Sequence, residues 1–167
     1  MMWSDENLDD IVGWVEDAYP EEGCGLILED QEGDFRVLHC ENLANQYHEM
    51  DPETYPRTAE KFYVINPMEF LKAEERGEEV KVVFHSHADV GDYFSDEDVA
   101  AATLPRDSDD APWEEAHPGV DYLVVSVRDG EADHATLFEF DGANADEPYP
   151  AKLEIEITDH GYKTSPA

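Results

Sequence analysis

The run VKVVFHSH at residues 80–87 constrains this chain more than any other stretch. Apolar, β-branched and closed by two histidines, it predicts a central strand. Residues i and i+2 of a strand share a face, so His85 and His87 project side by side while Ser86 points away. Two imidazoles so placed are a natural pair of zinc ligands at the mouth of a sheet. A third ligand has to come from elsewhere. The segment SDEDVAAATL that follows predicts a helix capped by Ser95 and stopped by Pro105. It puts Asp98 on the first helical turn, where the chain can fold back over the strand end. Two histidines and an aspartate leave a fourth position for water, as a catalytic zinc requires. A base for that water is on offer in YPEEGCGLILE, where a first helix gives way to a first strand. Spacing does not choose between Glu21 and Glu22. The same residues have plainer uses: Ser95 with an acid three residues on is a capping box, and each glutamate is one of 43 acids.

The rest of the chain reads as a mixed α/β domain. Ser4 caps a helix over about 4–18, with Leu8, Ile11, Val12 and Val15 at helical spacing and Pro20 beyond its end. CGLILEDQEGDFRVLHC predicts a hairpin with Gly33 in the turn; a turn centred on Glu32 sets Glu29 against Phe35 and Cys24 against Cys40. The two cysteines are expected to be reduced core residues, too few for a disulfide scaffold. Residues 41–61 are expected to form a long irregular loop, 62–65 (FYVI) a short strand, and the stretch from Asn66 to Gly77 a helix with Pro67 at its first position. A second acidic loop, 105–118, precedes three closing strands, the last at about 151–158. The expected order is α-β-β-β-α-β-α-β-β-β, in one domain over 1–167.

Charge narrows the partners. With 43 acids against 10 bases the formal net charge is -33. Such a surface repels phosphate backbones and anionic membranes, so neither nucleic acid nor membrane is an expected partner. The acids are spread along the chain, which suits a hydrated surface adapted to high salt, with a basic partner as the other explanation. No apolar run reaches the roughly 20 residues of a membrane-spanning helix. The start MMWSDENLDD lacks the basic and apolar regions of a secretory signal. A cytoplasmic protein is the expectation.

Taken together, the motifs resemble a known family. Glu22 in EGCG, His85 and His87 in HSH, and Ser95 and Asp98 in SDED, with ten residues between His87 and Asp98, resemble the JAMM motif of the JAB/MPN metalloproteases. The likeness covers about residues 5–141, includes CENLAN and FYVINPMEFLKAE, and is nearest to the compact prokaryotic members. It implies an MPN (JAB-like, cytidine-deaminase-like) fold, a mixed central β-sheet flanked by helices. It also implies zinc held by His85, His87 and Asp98, Glu22 as the base, and Ser95 stabilising the oxyanion. The implied activity is hydrolysis of a peptide or isopeptide bond, commonly after the Gly-Gly tail of a ubiquitin-like or sulfur-carrier protein. A non-catalytic MPN-like scaffold and a phage-tail-assembly peptidase are the alternatives. A zinc deaminase is disfavoured, because its His-x-Glu and Pro-Cys-x-x-Cys signature is missing. One departure stands out: members usually carry proline after the second histidine, where this chain has Ala88. The loop there is expected to be looser, with Asp89 and Asp92 adding charge near the metal.

Overall fold

In the computed structural model, which describes residues 3–167, the elements run α1 (Asp5–Ala18), β1 (Cys24–Glu29), β2 (Phe35–Cys40), α2 (Ala44–Met50), α3 (Met68–Glu75), β3 (Glu79–Ala88), α4 (Asp96–Ala102), β4 (Asp121–Arg128), β5 (Glu131–Phe138), β6 (Ala151–Thr158) and β7 (Gly161–Pro166). Two of the expected N-caps hold, while α3 differs: Pro67 is its N-cap rather than its first residue, and Asn66 lies one residue outside. Ser4 and Ser95 each take the N–H of the third helical residue on the hydroxyl, and that residue's side chain accepts the serine N–H in return.

Three expectations need correction. Residues 62–65 are not a strand: the Val64 N–H donates to the Asn42 side chain at 3.0 Å and the Val64 carbonyl accepts from the Leu43 N–H at 2.9 Å. With those groups engaged by residues 42 and 43 outside the sheet, no ladder forms. The stretch 41–61 is not irregular throughout, since it holds α2, whose Ala44 N–H is met by the Asn42 side chain at 3.0 Å. The chain also ends on four strands after α4 rather than three. β7 is polar and lies at an edge, so it lacks the alternation that marks half-buried strands.

The seven strands form one sheet in the order β2-β1-β3-β4-β5-β6-β7. Only the β3–β4 pair is parallel, crossing over through α4. β3 therefore lies inside the sheet with layers on both faces, which is why its sequence is an unbroken apolar run rather than an alternating one. Val82 and Phe84 pack with Leu8, Ile11 and Val15 of α1. Val83 packs in the opposite layer with Leu26, Ala73 of α3 and Ala102 of α4. The hairpin register is the expected one, Cys24 opposite Cys40 and Glu29 opposite Phe35. Both cysteines are free and buried, and burial pushes the Cys40 thiol up to about 12. Gly25 is required where β1 passes β3, because a Cβ there would come within 2.4 Å of both the Phe84 ring and the Leu38 carbonyl oxygen.

The few cations are mostly bound. Arg36 and Arg76 both reach Glu78 at 2.6 Å, and Lys81 lies 2.9 Å from Glu79. Two guanidiniums hold the Glu78 carboxyl at about 2. Such pairs cannot neutralise 43 acids with 10 bases. Raising salt from 0.1 M to 1 M shortens the screening length from about 10 Å to about 3 Å. The melting temperature is accordingly expected to climb by several degrees over that range in a thermal-denaturation series; a flat or falling series would contradict a self-repelling fold.

Candidate metal centre

The alternation that sends Phe84 toward α1 sends His85 and His87 into the other layer. There α4 starts over the end of β3, and its first-turn Asp98 meets both rings. His85 Nε2 lies 3.2 Å from His87 Nε2 and 3.1 Å from Asp98 Oδ1, and His87 Nε2 lies 3.3 Å from Asp98 Oδ2. One carboxylate oxygen of Glu22 and one nitrogen of each histidine all lie within 4.8 Å of one another. All four residues are buried. The geometry thus brings in Glu22 and leaves out Glu21, which is exposed and accepts from Asn45 at 3.0 Å. Ser95 also lines the cleft, about 220 Å³, that opens onto Glu22, His87 and Asp98. Its hydroxyl accepts the Asp98 N–H at 3.1 Å, so Ser95 also fixes the turn that carries Asp98.

The donor set suits a cation. His87 Nδ1–H donates to the Gly91 carbonyl at 2.8 Å, which leaves the Nε2 lone pair facing His85 and Asp98. His85 Nδ1 is buried without a hydrogen-bond partner. Two imidazole nitrogens and a carboxylate so close together need a shared proton or a cation between them. Ligand atoms about 2.0–2.2 Å from a tetrahedral zinc sit roughly 3.3–3.6 Å apart, and the separations of 3.1, 3.2 and 3.3 Å fall at or slightly below the short end of that range. The buried Glu22, His85 and His87 could hold a metal ion, and Asp98 stands beside them.

Electrostatics follow from burial and these contacts. Burial pushes the Glu22 carboxyl up to about 8, partly countered by His87. For Asp98 burial favours the neutral acid, but the two imidazoles outweigh it and hold the carboxyl well below its usual range. Burial pulls His87 down, but Asp98, Glu22 and the Gly91 carbonyl together raise it, so its net direction is up.

Several supporting residues escaped the sequence reading. Tyr63 stacks on His85 with centroids 4.2 Å apart and helps bury it. Ser86, on the face away from the histidine pair, accepts the Gly23 N–H on its hydroxyl at 2.9 Å and so braces the residue after Glu22. Asn42 donates to the Glu22 and Phe62 carbonyls, both at 2.9 Å, and accepts from Ala44 and Val64. A polar residue in a polar stretch gives no sign of such a hub; the CENLAN likeness was the one available signal. Asn42→Leu strands these groups and is expected to cost at least about 2 kcal/mol in a urea-unfolding comparison, and a neutral result would show the hub to be dispensable. Asp89 and Asp92 also differ from expectation. Their carboxylates take hydrogen bonds from Tyr19 and Asp129, and from His134 and Thr136. They therefore tie the loop down rather than leaving it loose.

A solution structure of a protein from Desulfitobacterium hafniense aligns with 96% of this chain and 86% of its own length at 18% identity, with a TM-score of 0.46. One from Salinibacter ruber aligns with 86% and 85% at 29% identity, with a TM-score of 0.47. No protein of curated function matches significantly. No helix among the described residues is long and apolar enough to cross a membrane. The family profile describing prokaryotic homologs of the JAB domain matches residues 4–136, a span from the cap of α1 into β5 that includes Glu22, His85, His87, Ser95 and Asp98. On that match, with a mixed sheet flanked by helices beneath it, the chain belongs to the prokaryotic JAB-domain family.

Proposed function

We propose that this protein is a zinc-dependent peptidase or isopeptidase. It hydrolyses a peptide or isopeptide bond after the Gly-Gly tail of a ubiquitin-like or sulfur-carrier protein. The observation that carries the reading is a buried Glu22 carboxyl within 4.8 Å of two histidine nitrogens, at the floor of an open cleft. His85, His87 and Asp98 would hold the ion. A bound zinc supplies Lewis acidity, which polarises a carbonyl and makes a water acidic near neutral pH.

The chain's own groups do the rest. Glu22 takes a proton on its carboxylate and returns it to the leaving amine, and a carboxyl raised toward neutrality by burial suits both transfers. Ser95 Oγ accepts one N–H at the helix cap and retains its own proton for the developing oxyanion. Tyr63 and the β3 core keep bulk water from His85.

The cleft favours a slender substrate. At about 220 Å³ it is smaller than the roughly 300–1,000 Å³ typical of small-molecule pockets. Arg57, Phe62 and Glu97, the first and last paired at 2.6 Å, also border a neighbouring groove lined by residues 54–57 and the small side chains of Ala100 and Ala101. An extended tail of small residues fits such a cleft.

The test is incubation of zinc-loaded protein with ubiquitin-like and sulfur-carrier fusions bearing Gly-Gly junctions, read by intact mass, with a chelator control. Cleavage at the junction, abolished by chelation, is expected. Bound zinc without cleavage of any fusion would overturn the peptidase reading in favour of a non-catalytic binding domain.

A further inference from the structure

The peptide that orients His87 is anchored from across the sheet, and we propose that Asp92 is the positioning residue that sets it. The inference rests on the zinc reading above for its consequence, though not for its geometry. His87 Nδ1–H donates to the carbonyl of Gly91 at 2.8 Å. That carbonyl and the Asp92 N–H belong to one planar peptide unit joined directly to the Asp92 Cα, so anchoring Asp92 restricts the directions the carbonyl can take.

Two anchors hold the loop on either side of Gly91. On one side the Asp89 N–H donates to the Val127 carbonyl at 2.8 Å. Its carboxylate accepts from the Tyr19 hydroxyl at 2.6 Å and from the Asp129 N–H at 2.8 Å. On the other side Asp92 Oδ2 accepts from the Thr136 hydroxyl at 2.6 Å and from His134 Nδ1–H. Thr136 and His134 belong to β5, two strands from the histidines, inside a continuous sheet. Between the anchors the backbone takes left-handed φ values, +66° at Asp89 and +96° at Gly91. Aspartate tolerates such a conformation better than most non-glycine residues, and the bonds made by Asp89 hold it there.

The consequence lies in the His87 tautomer. With the Gly91 carbonyl in place, the ring proton sits on Nδ1 and Nε2 presents a lone pair to the cation position. Should the carbonyl swing away, the proton can move to Nε2 and donate to Asp98 Oδ2, 3.3 Å off. The ring would then satisfy itself at the expense of metal binding. Asp92 works against that competing arrangement from outside the ligand set, as partners of metal-bound histidines do.

The test pairs two readouts on Asp92→Ala, with Asp92→Asn as the conservative variant and Asp159→Asn, exposed in the β6–β7 turn, as a surface control. Zinc affinity by chelator competition is expected to fall by about 10–100-fold in Asp92→Ala, less in Asp92→Asn, whose amide oxygen can still accept from Thr136, and not in the control. Long-range proton–nitrogen spectra of the metal-free protein are expected to show His87 as the Nδ1–H tautomer in wild type and as a mixture in Asp92→Ala. If Asp92→Ala keeps wild-type zinc affinity and tautomer while only its melting temperature drops, Asp92 merely staples the loop and the proposal is overturned. If wild-type protein binds no zinc, the functional reading fails and the tautomer decides alone: redistribution upholds the proposal and an unchanged ring overturns it. Should Asp92→Ala not fold, Thr136→Val removes one bond of the clamp. It is expected to shift both readouts in the same direction by less, and no shift would overturn the proposal.

Discussion

Glu22→Gln is expected to lower cleavage of a verified substrate by at least about a hundredfold, the low end of general acid–base effects, while leaving zinc content unchanged. The amide matches the carboxyl in size but cannot shuttle a proton. The fold should not notice the exchange. The bonds that fix residue 22 run through its backbone, from its N–H to the Ala59 carbonyl at 2.7 Å and to its carbonyl from Asn42 at 2.9 Å. Burial already pushes the carboxyl toward neutrality, up to about 8, so a permanently neutral side chain is no stranger to that site. Single-turnover rates on a Gly-Gly fusion, alongside elemental analysis, separate the two effects. A variant that cleaves at the wild-type rate would remove Glu22 as the base.

Asp98→Asn should produce the other large loss, in metal retention rather than in a chemical step. The carboxylate faces both imidazoles at 3.1 and 3.3 Å and is held ionised by them. An asparagine can still accept the Ser95 N–H that Asp98 Oδ2 takes at 3.0 Å, so the helix cap survives. It brings no negative charge to the cation. Zinc affinity is expected to fall by more than the roughly 10–100-fold usual for outer partners of a metal site, and elemental analysis of the purified variant should find it depleted. Unchanged zinc content would exclude Asp98 as a ligand. Acid should act on wild type in the same direction. Asp98, Glu22 and the Gly91 carbonyl together raise His87, so as the pH falls protons compete with the ion for Nε2 and zinc is released.

The legible part of this protein was the part governed by local periodicity. VKVVFHSH is buried on both faces, so its composition alone marks it as central, and the period of two puts both histidines into one layer. SDED carries its own capping geometry, since the hydroxyl and carboxylate that close the box are three residues apart. The hairpin register followed from its turn, which is why the opposition of Cys24 and Cys40 was accessible.

Where side chains reached across the chain, local rules failed. FYVI has strand composition, yet Asn42, twenty residues earlier, takes its backbone groups and no strand forms. Asp89 and Asp92 look like two more surface acids until β5 and the end of α1 are brought beside them.

The sequence by itself determined the central strand, the capped helix behind it and the histidine pair, because each depends on contacts within a few residues. Only the tertiary structure decided that Glu22 rather than Glu21 faces those histidines, and that the loop beside His87 is clamped. The first choice depends on how α1 hands over to β1 against the Asn42 hub; the second depends on hydrogen bonds spanning 40 and more residues. Periodicity has no term for either.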